Sequence, residues 1–284
     1  MIIDFHVHIF PPQVKTDRRL LLERDATFCE LYQNPQARIA TADDLIQSMD
    51  HAGIDVSVVQ GFAWSDPSIL RETNDYIQES AARFPGRLVP YCAVRPEIGA
   101  ASPEEVTSRL RGNYPIRGVG ELRLDDPRCR ADRWAALGPL CETALQANLP
   151  VLIHASEPVG HEYPGKGRMT PALLWDLIGA FPDWTMVLAH LGGGLPFYSA
   201  MPEVRKALQN VYIDTAAWSL LYGPEVFPPL IDLFGYQKIL FATDYPVVDQ
   251  SKALAKMRSL PLASEALTDI LGGNASSLLG RRDG

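Results

Sequence analysis

Six polar side chains stand at or just after the ends of short apolar segments, and all six belong to types that bind divalent metal ions. They are His6, His8, Glu121, His154, His190 and Asp244. Imidazole nitrogen and carboxylate oxygen are zinc ligands, and they also suit manganese or iron. A metal held by such residues lowers the pKa of a bound water molecule to about 7, so the set points to metal-dependent chemistry.

Eight short segments rich in β-branched residues recur along the chain, and a longer helical pattern follows most of them. The segments are Ile2–His8, Asp55–Gln60, Leu88–Val94, Ile116–Leu122, Pro150–His154, Thr185–His190, Val211–Asp214 and Lys238–Thr243. Most are apolar at every position rather than at alternate ones, which is typical of strands covered on both faces in a parallel sheet.

The stretches between these segments carry helix signals. Thr41 followed by Asp44 predicts a helix start and Gly53 its end, and Ser102 is predicted to cap a later helix. Eight strands that alternate with about eight helices predict one α/β domain over residues 1–284, a (β/α)8 TIM barrel. A doubly wound sheet is the alternative, but the sequence lacks the glycine-rich phosphate turn that this fold needs after its first strand.

Two longer segments interrupt the alternation, one after the first strand and one after the fifth. The first insertion runs from Phe10 to about Ala40, and the second runs from Glu157 to Met169. Both leave the carboxyl end of a strand, which is the end that carries the active site in a barrel. We expect them to form a lid or the wall of a pocket.

Each of the six polar residues has an ordinary explanation when it is taken alone. A histidine that ends a strand can be a hydrogen-bonded structural residue, Asp244 can cap a helix, and Glu121 can pair with Arg123. In a barrel, however, the carboxyl ends of all strands meet at one mouth, where a cluster of unpaired ionisable groups would be costly. A divalent cation removes that cost, so the sequence predicts a site for one or two ions, with zinc expected first and manganese or iron as alternatives.

Five motifs extend this argument because they resemble, in order, those of the amidohydrolase superfamily. They are Asp4-Phe5-His6-Val7-His8, Ile153-His154, Ala189-His190-Leu191-Gly192-Gly193, Phe241-Ala242-Thr243-Asp244-Tyr245-Pro246, and Gly273-Asn274-Ala275 with Leu278-Leu279. The resemblance covers nearly the whole chain and looks closest to the amidohydrolase-2 branch. That branch includes decarboxylases of aminocarboxymuconate semialdehyde and resorcylate, and also lactonases.

Glu121 decides which activity the sequence favours within this resemblance. It stands where part of the superfamily has a carbamylated lysine, and it is similar to a glutamate of the TatD-like nucleases that can bridge two metals. Many decarboxylases of the branch are described without it. We therefore expect a metal-dependent hydrolase of a small ester, lactone or amide, in which Asp244 accepts the proton of water and His190 polarises the carbonyl or completes a second metal site.

Three other functions use the same residues. The first is a metal-dependent, non-oxidative decarboxylase of a hydroxy-aromatic or muconate-like acid, in which His190 or Asp244 protonates the carbon that loses CO2. The second is a nuclease of the TatD kind, which a net charge of −8 disfavours because many phosphates need a basic surface. The third is a catalytically silent barrel used for binding.

Substrate contacts are expected near the predicted mouth. Trp64 follows the second strand and could stack on a planar substrate or belong to the core, and Trp218 follows the seventh and could wall the pocket. Arg123, two residues beyond Glu121, could bind a carboxylate of the substrate or form a salt bridge at the barrel rim. His161 lies in the second insertion and could contact an anion if that segment folds over the mouth. We expect the substrate to be a small molecule.

Composition sets the surroundings in which this chemistry is expected. The 284 residues include 26 Lys and Arg against 34 Asp and Glu, which argues against nucleic-acid and anionic-membrane partners. The sequence has no signal-peptide pattern and no apolar run of about 18 residues, and its four widely spaced cysteines are typical of free thiols. We therefore expect a cytoplasmic protein. Dimers are common in the branch that the chain resembles, so a homodimer is one expected assembly.

Overall fold

Eight parallel strands form the centre of the molecule in the computed structural model, which describes residues 1–95, 101–112, 114–124 and 134–280. Neighbours in the sheet follow the chain order without exception. The strands are β1 (Ile3–His8), β2 (Val56–Gln60), β3 (Leu88–Cys92), β4 (Gly118–Leu122), β5 (Val151–Ile153), β6 (Met186–Leu188), β7 (Val211–Asp214) and β8 (Ile239–Leu240). The sixth and eighth end earlier than predicted, so His190 and Asp244 lie in the loops just beyond them.

Helices alternate with the strands and surround the sheet. The α-helices in the described ranges are α1 (Gln13–Thr16), α2 (Arg18–Arg24), α3 (Ala26–Tyr32), α4 (Ala42–Ala52), α5 (Pro67–Arg83), α6 (Ala101–Arg109), α7 (Gly138–Gln146), α8 (Pro171–Ala180), α9 (Pro202–Ala207), α10 (Trp218–Leu221), α11 (Phe227–Phe234), α12 (Gln250–Arg258), α13 (Ser264–Thr268) and α14 (Asn274–Leu278). None of these helices combines the length and apolar character that a membrane crossing needs.

Hydrogen bonds between β1 and the chain around and beyond β8 bring the two ends of the sheet together. Phe5 N donates to Phe241 O at 2.9 Å, and His8 N donates to Tyr245 O at 2.7 Å. The buried Asp4 carboxylate adds bonds from Thr243 N at 2.9 Å and from the Thr243 hydroxyl at 2.6 Å. The predicted (β/α)8 TIM barrel is therefore confirmed.

Side chains alternate between two separate cores along the strands, except where the register shifts, as it does in β1 between Asp4 and Val7. Phe5 and Val58 point into the barrel, where they pack with inward side chains of the other strands. Val7 and Val59 point outward and pack against the helices. This alternation places His8 and Gln60, the next residue on each of these two strands, on the inner side of the barrel.

The helix signals in the sequence are borne out in one place and wrong in another. Thr41 caps α4 through a capping box with Asp44, as predicted. The expected capping role of Ser102 is wrong, because α6 begins one residue earlier and the Ser102 hydroxyl donates to Arg95 O at 2.9 Å. The free thiols of the described residues are Cys29, Cys92 and Cys141, and Cys129 lies outside those residues.

The two predicted insertions differ in structure. The first folds into α1, α2 and α3, and its Phe10, Phe28 and Tyr32 form an aromatic cluster with Phe62 and Trp64 beside the barrel mouth. The second insertion contains no helix or strand. Residues of both line the same cavity, as described below.

Candidate active site

The six polar residues singled out from the sequence meet at the carboxyl end of the barrel. They form two adjoining groups, each with donor atoms within 4.8 Å of one another: His6, His8 and Asp244, and then Glu121, His154 and His190. Five of the six side chains are buried, and Asp244 is 14% exposed. Residues spread over nearly the whole sequence are thus brought to one place by the barrel.

The first group has its donor atoms turned toward a common point. His6 Nε2 lies 3.0 Å from His8 Nε2. Asp244 Oδ1 lies 3.9 Å from His6 Nε2 and 3.4 Å from His8 Nε2. Two imidazole nitrogens that face each other at this distance need either a shared proton or a cation between them.

Glu121 joins the second group to the first. Its Oε1 accepts a hydrogen bond from His154 Nδ1 at 2.8 Å and lies 3.9 Å from His190 Nε2. Its Oε2 lies 3.7 Å from His6 Nε2 and 3.6 Å from His8 Nε2. One carboxylate therefore contacts both groups.

Backbone strain accompanies two of these residues. His190 has a φ of 55° and Asp244 a φ of 63°, in the left-handed region that residues other than glycine rarely adopt. Asp244 is held there by its own N–H, which donates to His6 O at 3.0 Å. Beyond His190, the chain passes so close to the loop after β5 that a Cβ at Gly193 would stand 2.5 Å from Ser156 O, so only glycine fits. Strain of this kind is typical of functional sites.

Asp214, the last residue of β7, is a functional residue that our reading of the sequence missed. Its Oδ2 accepts from His6 Nδ1 at 2.8 Å, and its Oδ1 accepts from His190 N and Ala216 N, both at 3.0 Å. This one carboxylate thus orients His6, a candidate ligand, and also the loop that carries His190, a second candidate. The signal was available, because Asp214 is a charged residue that ends an apolar strand.

The electrostatics of the cluster favour a positive charge at its centre. Burial on its own would raise the pKa of Glu121, but His6 and His154 hold it well below its ordinary value. Burial would likewise raise the pKa of Asp244, and the surrounding imidazoles lower it. Burial lowers the pKa of His6, but the carboxylates of Asp214 and Glu121 outweigh this effect and raise it well above the ordinary value. The buried carboxylates are therefore ionised and attract a cation.

The donor set fits a divalent metal ion. Ligand atoms about 2.1 Å from one cation lie roughly 3.0 to 3.5 Å apart. The distances that link His6, His8, Asp244 and Glu121 range from 3.0 to 3.9 Å. The Nδ1 of His6 donates to Asp214, so Nε2 is the ring nitrogen that can give up its proton and bind a metal. Small movements would bring these atoms onto one ion.

A cavity of about 690 Å³ opens above this cluster. Glu121, His154, His190 and Asp244 contribute to its lining. Its other lining residues include Leu31, Tyr32, Asn34, Gln36, Ala37 and Arg38 from the first insertion, His161, Tyr163, Pro164 and Gly165 from the second, and Phe62, Arg123, Ala217, Leu220, Leu221, Pro246 and Val247. Both insertions therefore wall the pocket, and its surface combines apolar side chains with the two arginines.

The four residues expected to contact substrate separate into two pairs. Arg123 and His161 line the cavity, as expected, although the Arg123 guanidinium also donates to Glu30 Oε1 at 3.0 Å. Trp64 and Trp218 do not line the cavity and are buried, which for Trp64 is the alternative of a core residue. The Trp64 indole is 1% exposed within the aromatic cluster and donates to Thr73 Oγ1 at 3.0 Å.

Trp218 is buried for a similar reason. Its indole is 5% exposed and packs edge-to-face on Phe227 of α11, with ring centroids 4.9 Å apart. The sequence shows that both tryptophans follow strand ends, but it does not show that neighbouring helices supply apolar partners for them. Leu220 and Leu221, on the same short helix as Trp218, line the cavity instead.

Comparison with known proteins assigns the chain to a family. The family model described as Amidohydrolase matches residues 3–281. The chain therefore belongs to the amidohydrolase family, in its amidohydrolase-2 branch, and the resemblance seen in the five motifs is confirmed.

The relatives that the chain matches carry specific activities. It is 24% identical over 291 residues to the 2-amino-3-carboxymuconate-6-semialdehyde decarboxylase of Dictyostelium discoideum, covering 84% of this chain and 76% of that protein. Its fold matches the 5-carboxyvanillate decarboxylase of Sphingomonas paucimobilis with a TM-score of 0.74, 18% identity and 99% of each chain covered. It also matches the 5-carboxyvanillate decarboxylase of Novosphingobium aromaticivorans, solved with manganese and 4-hydroxy-3-methoxy-5-nitrobenzoic acid, with a TM-score of 0.75, 14% identity and 99% and 96% covered.

These findings correct the expectation of a hydrolase, which is wrong. Each of the three relatives is a decarboxylase. Glu121 was the residue that favoured hydrolysis, as a bridge between two metals. In the structure its Oε1 holds His154 Nδ1 in place, a contact that serves any metal-dependent reaction and so does not select hydrolysis.

Proposed function

We propose that this protein is a metal-dependent, non-oxidative decarboxylase of a small hydroxy-aromatic or muconate-like carboxylic acid. The observation that carries the proposal is the placement of His190, which lines the same cavity as the metal-binding cluster and turns its Nε2 toward Glu121. A proton donor beside a cation site suits a reaction in which a bound acid exchanges its carboxylate for a proton. The activities of the relatives support the same choice.

The metal in this proposal is one divalent ion held by His6, His8 and Asp244, with His154 and Glu121 completing the site. Such a ligand set suits manganese as well as zinc. When bound, the ion supplies a Lewis acid that anchors the substrate carboxylate and a neighbouring hydroxyl oxygen. Asp214 keeps His6 in the tautomer that presents Nε2 to the ion.

The proton comes from His190 in this proposal. Decarboxylation breaks the bond between a substrate carbon and its carboxylate, and the electron pair of that bond forms a new C–H bond at the same carbon. Since a carbonyl oxygen only accepts hydrogen bonds, His190 Nδ1 donates to Ala216 O at 3.0 Å. Nε2 is therefore the ring nitrogen that faces the cluster, and it delivers a proton to the carbon when His190 is an imidazolium ion, after which the neutral ring keeps its proton on Nδ1.

The cavity walls supply contacts for the remainder of the substrate. Arg38 and Arg123 are the cationic side chains of the lining and suit a second carboxylate or a phenolate oxygen. Phe62, Leu220 and Val247 provide apolar surface for a ring or a conjugated chain. A planar acid with two polar substituents is the class of substrate that fits these walls.

Release of CO2 in deuterated water tests the proposal. Protein loaded with Mn²⁺ or Zn²⁺ is incubated with a panel of hydroxybenzoates, 5-carboxyvanillate and aminocarboxymuconate semialdehyde. We expect CO2 and a product with one deuterium at the carbon that bore the carboxylate. The His190→Asn variant should lose roughly 10²- to 10⁴-fold in rate, the usual range for removing a general acid, while still binding metal.

His51→Gln is the matched control, because His51 is exposed on α4 and far along the chain from the cluster. It should retain wild-type activity. Unchanged CO2 release by His190→Asn would remove the assigned role of that residue. Hydrolysis of lactones or esters with no CO2 from any acid of the panel would overturn the proposed function itself.

A further inference from the structure

Among the four histidines of the site, His8 stands apart because its Nδ1 has no partner in the described part of the chain. His6 Nδ1 bonds to Asp214, His154 Nδ1 to Glu121 and His190 Nδ1 to Ala216 O. A histidine that binds a metal through Nε2 almost always donates Nδ1–H to another group, which fixes the tautomer and the ring orientation. His8 is as buried as the others, at 1% exposure, so its Nδ1 needs such an acceptor.

A buried amide with the complementary need lies on the neighbouring strand. Gln60 is fully buried, and neither its Oε1 nor its Nε2 has a partner among the described residues. His8 and Gln60 are direct neighbours in the register of β1 and β2. Paired residues on adjacent strands lie about 4.8 Å apart and point to the same side, which here is the inside of the barrel.

A third buried group without a partner in the described ranges, the Tyr91 hydroxyl, lies elsewhere. Its ring packs over Gly118 of β4, on the other side of β3 from Gln60. A glutamine amide accepts hydrogen bonds at its oxygen, so Gln60 carries the acceptor that an imidazole N–H needs.

The His8 ring is already held so that only its Nδ1 edge lacks a contact. Phe62 stacks on one face, with ring centroids 3.9 Å apart and planes 11° from parallel. The Nε2 edge faces His6, Asp244 and Glu121. A hydrogen bond at Nδ1 would therefore fix the proton on that atom and direct the Nε2 lone pair at the metal.

We infer that Gln60 is the positioning residue of His8: its Oε1 accepts from His8 Nδ1–H, directly or through one buried water molecule. The amide torsion of glutamine is soft, so this arrangement needs only a rotation at the end of the side chain. The inference rests on the metal site of the proposed function but not on the reaction, so it survives if the substrate class proves wrong.

Metal affinity and unfolding of the metal-free protein together test this role. Gln60→Met keeps the length of the side chain and removes both hydrogen-bonding atoms. We expect its dissociation constant for Mn²⁺ or Zn²⁺, measured by competition with a chelator, to rise at least tenfold. The melting temperature of the metal-free protein should change little, because the substitution keeps the length of the buried side chain and the inferred bond serves metal binding.

Gln78→Met is the matched control with the opposite expected result. Gln78 Nε2 donates to Arg109 O and Tyr114 O, both at 3.0 Å, and its Oε1 accepts from Arg109 Nη1 at 3.1 Å. This glutamine holds two elements together far from the metal-binding residues. Its replacement should lower the melting temperature and leave metal affinity unchanged.

Two further measurements keep the inference testable if Gln60→Met does not fold. Long-range ¹H–¹⁵N NMR of the zinc-loaded wild-type protein should show the His8 proton on Nδ1, and Gln60→Glu, which retains an acceptor, should bind metal at least as tightly as wild type. A proton on Nε2, weaker metal binding by Gln60→Glu, or wild-type affinity in a folded Gln60→Met protein would each overturn the inference.

Discussion

The carboxylate of Asp214 does more for the site than any single candidate ligand, because it holds three donors at once. Its Oδ1 is occupied by two backbone N–H groups and its Oδ2 by His6 Nδ1. In Asp214→Asn the amide oxygen would stay with the backbone donors and the NH2 group would face His6. Two donors cannot bond to each other, so His6 would move its proton to Nε2 and lose the lone pair that binds metal.

We therefore expect Asp214→Asn to weaken metal binding by about 10- to 100-fold while the protein still folds. Competition with a chelator measures the affinity, and circular dichroism checks the fold. Asp232→Asn, a change at an exposed position of α11, should bind metal as wild type does. Equal affinities in the two variants would mean that Asp214 does not orient His6.

At the scale of elements, the first insertion depends on one arginine. Arg18 of α2 donates through Nη1 to Ala37 O at 3.0 Å and through Nη2 to Tyr32 O at 2.7 Å, and it also contacts the carbonyls of Asn34 and Pro35. The segment whose carbonyl groups Arg18 binds forms one wall of the cavity. Arg18 thus positions the wall without contacting the metal-binding residues.

Arg18→Met should raise KM for the substrate several-fold with a smaller change in kcat, because the cavity wall loosens and the catalytic residues stay in place. Stability should fall by about 1 to 3 kcal/mol, the usual value of hydrogen bonds from a charged donor. Arg19→Met is the control, since Arg19 is 92% exposed and pairs with Glu23, one helical turn away, at 3.7 Å. Identical KM values in both variants would contradict the positioning role of Arg18.

The start of α4 should contribute to stability in a pH-dependent way. Burial would raise the pKa of Asp44, but hydrogen bonds from Lys15 and Thr41 lower it below the ordinary 3.8. A carboxyl group whose pKa is lower in the folded state contributes stability above its unfolded pKa, and that contribution is lost as the pH falls through the lower, folded value. Between pH 5 and 3, wild type should therefore lose more unfolding free energy than Asp44→Asn, as measured by urea denaturation. Parallel losses would show that the capping carboxylate contributes nothing.

For the whole molecule, the sequence was sufficient wherever a pattern depends on chain order alone. Continuous apolar strands and a His-x-His pair at the end of β1 predict both the barrel and the gathering of its polar strand ends, since a barrel has only one carboxyl face. Contacts between side chains that are far apart in the sequence do not follow from chain order. The sequence did not decide whether Trp64 and Trp218 are buried, because the packing partners of each lie on other elements, and Gln60 drew no notice because its unmet hydrogen bonds exist only once β1 and β2 are side by side.

The placement of the six residues around the barrel gives the metal a second effect, on stability. His6 and His8 lie on β1, Glu121 on β4, and His154 and Asp244 just beyond β5 and β8, so a bound ion links opposite sides of the mouth. A ligand that binds only the folded state at 1,000 times its dissociation constant stabilises by about 4 kcal/mol, which is roughly 7 °C in Tm for a protein of this size. Chelation should lower Tm by this amount, and added Mn²⁺ or Zn²⁺ should restore it in a concentration-dependent way. A variant that carries both His6→Ala and His8→Ala should melt at the same temperature with and without metal. If wild type also shows no response to metal, these strand ends do not share an ion.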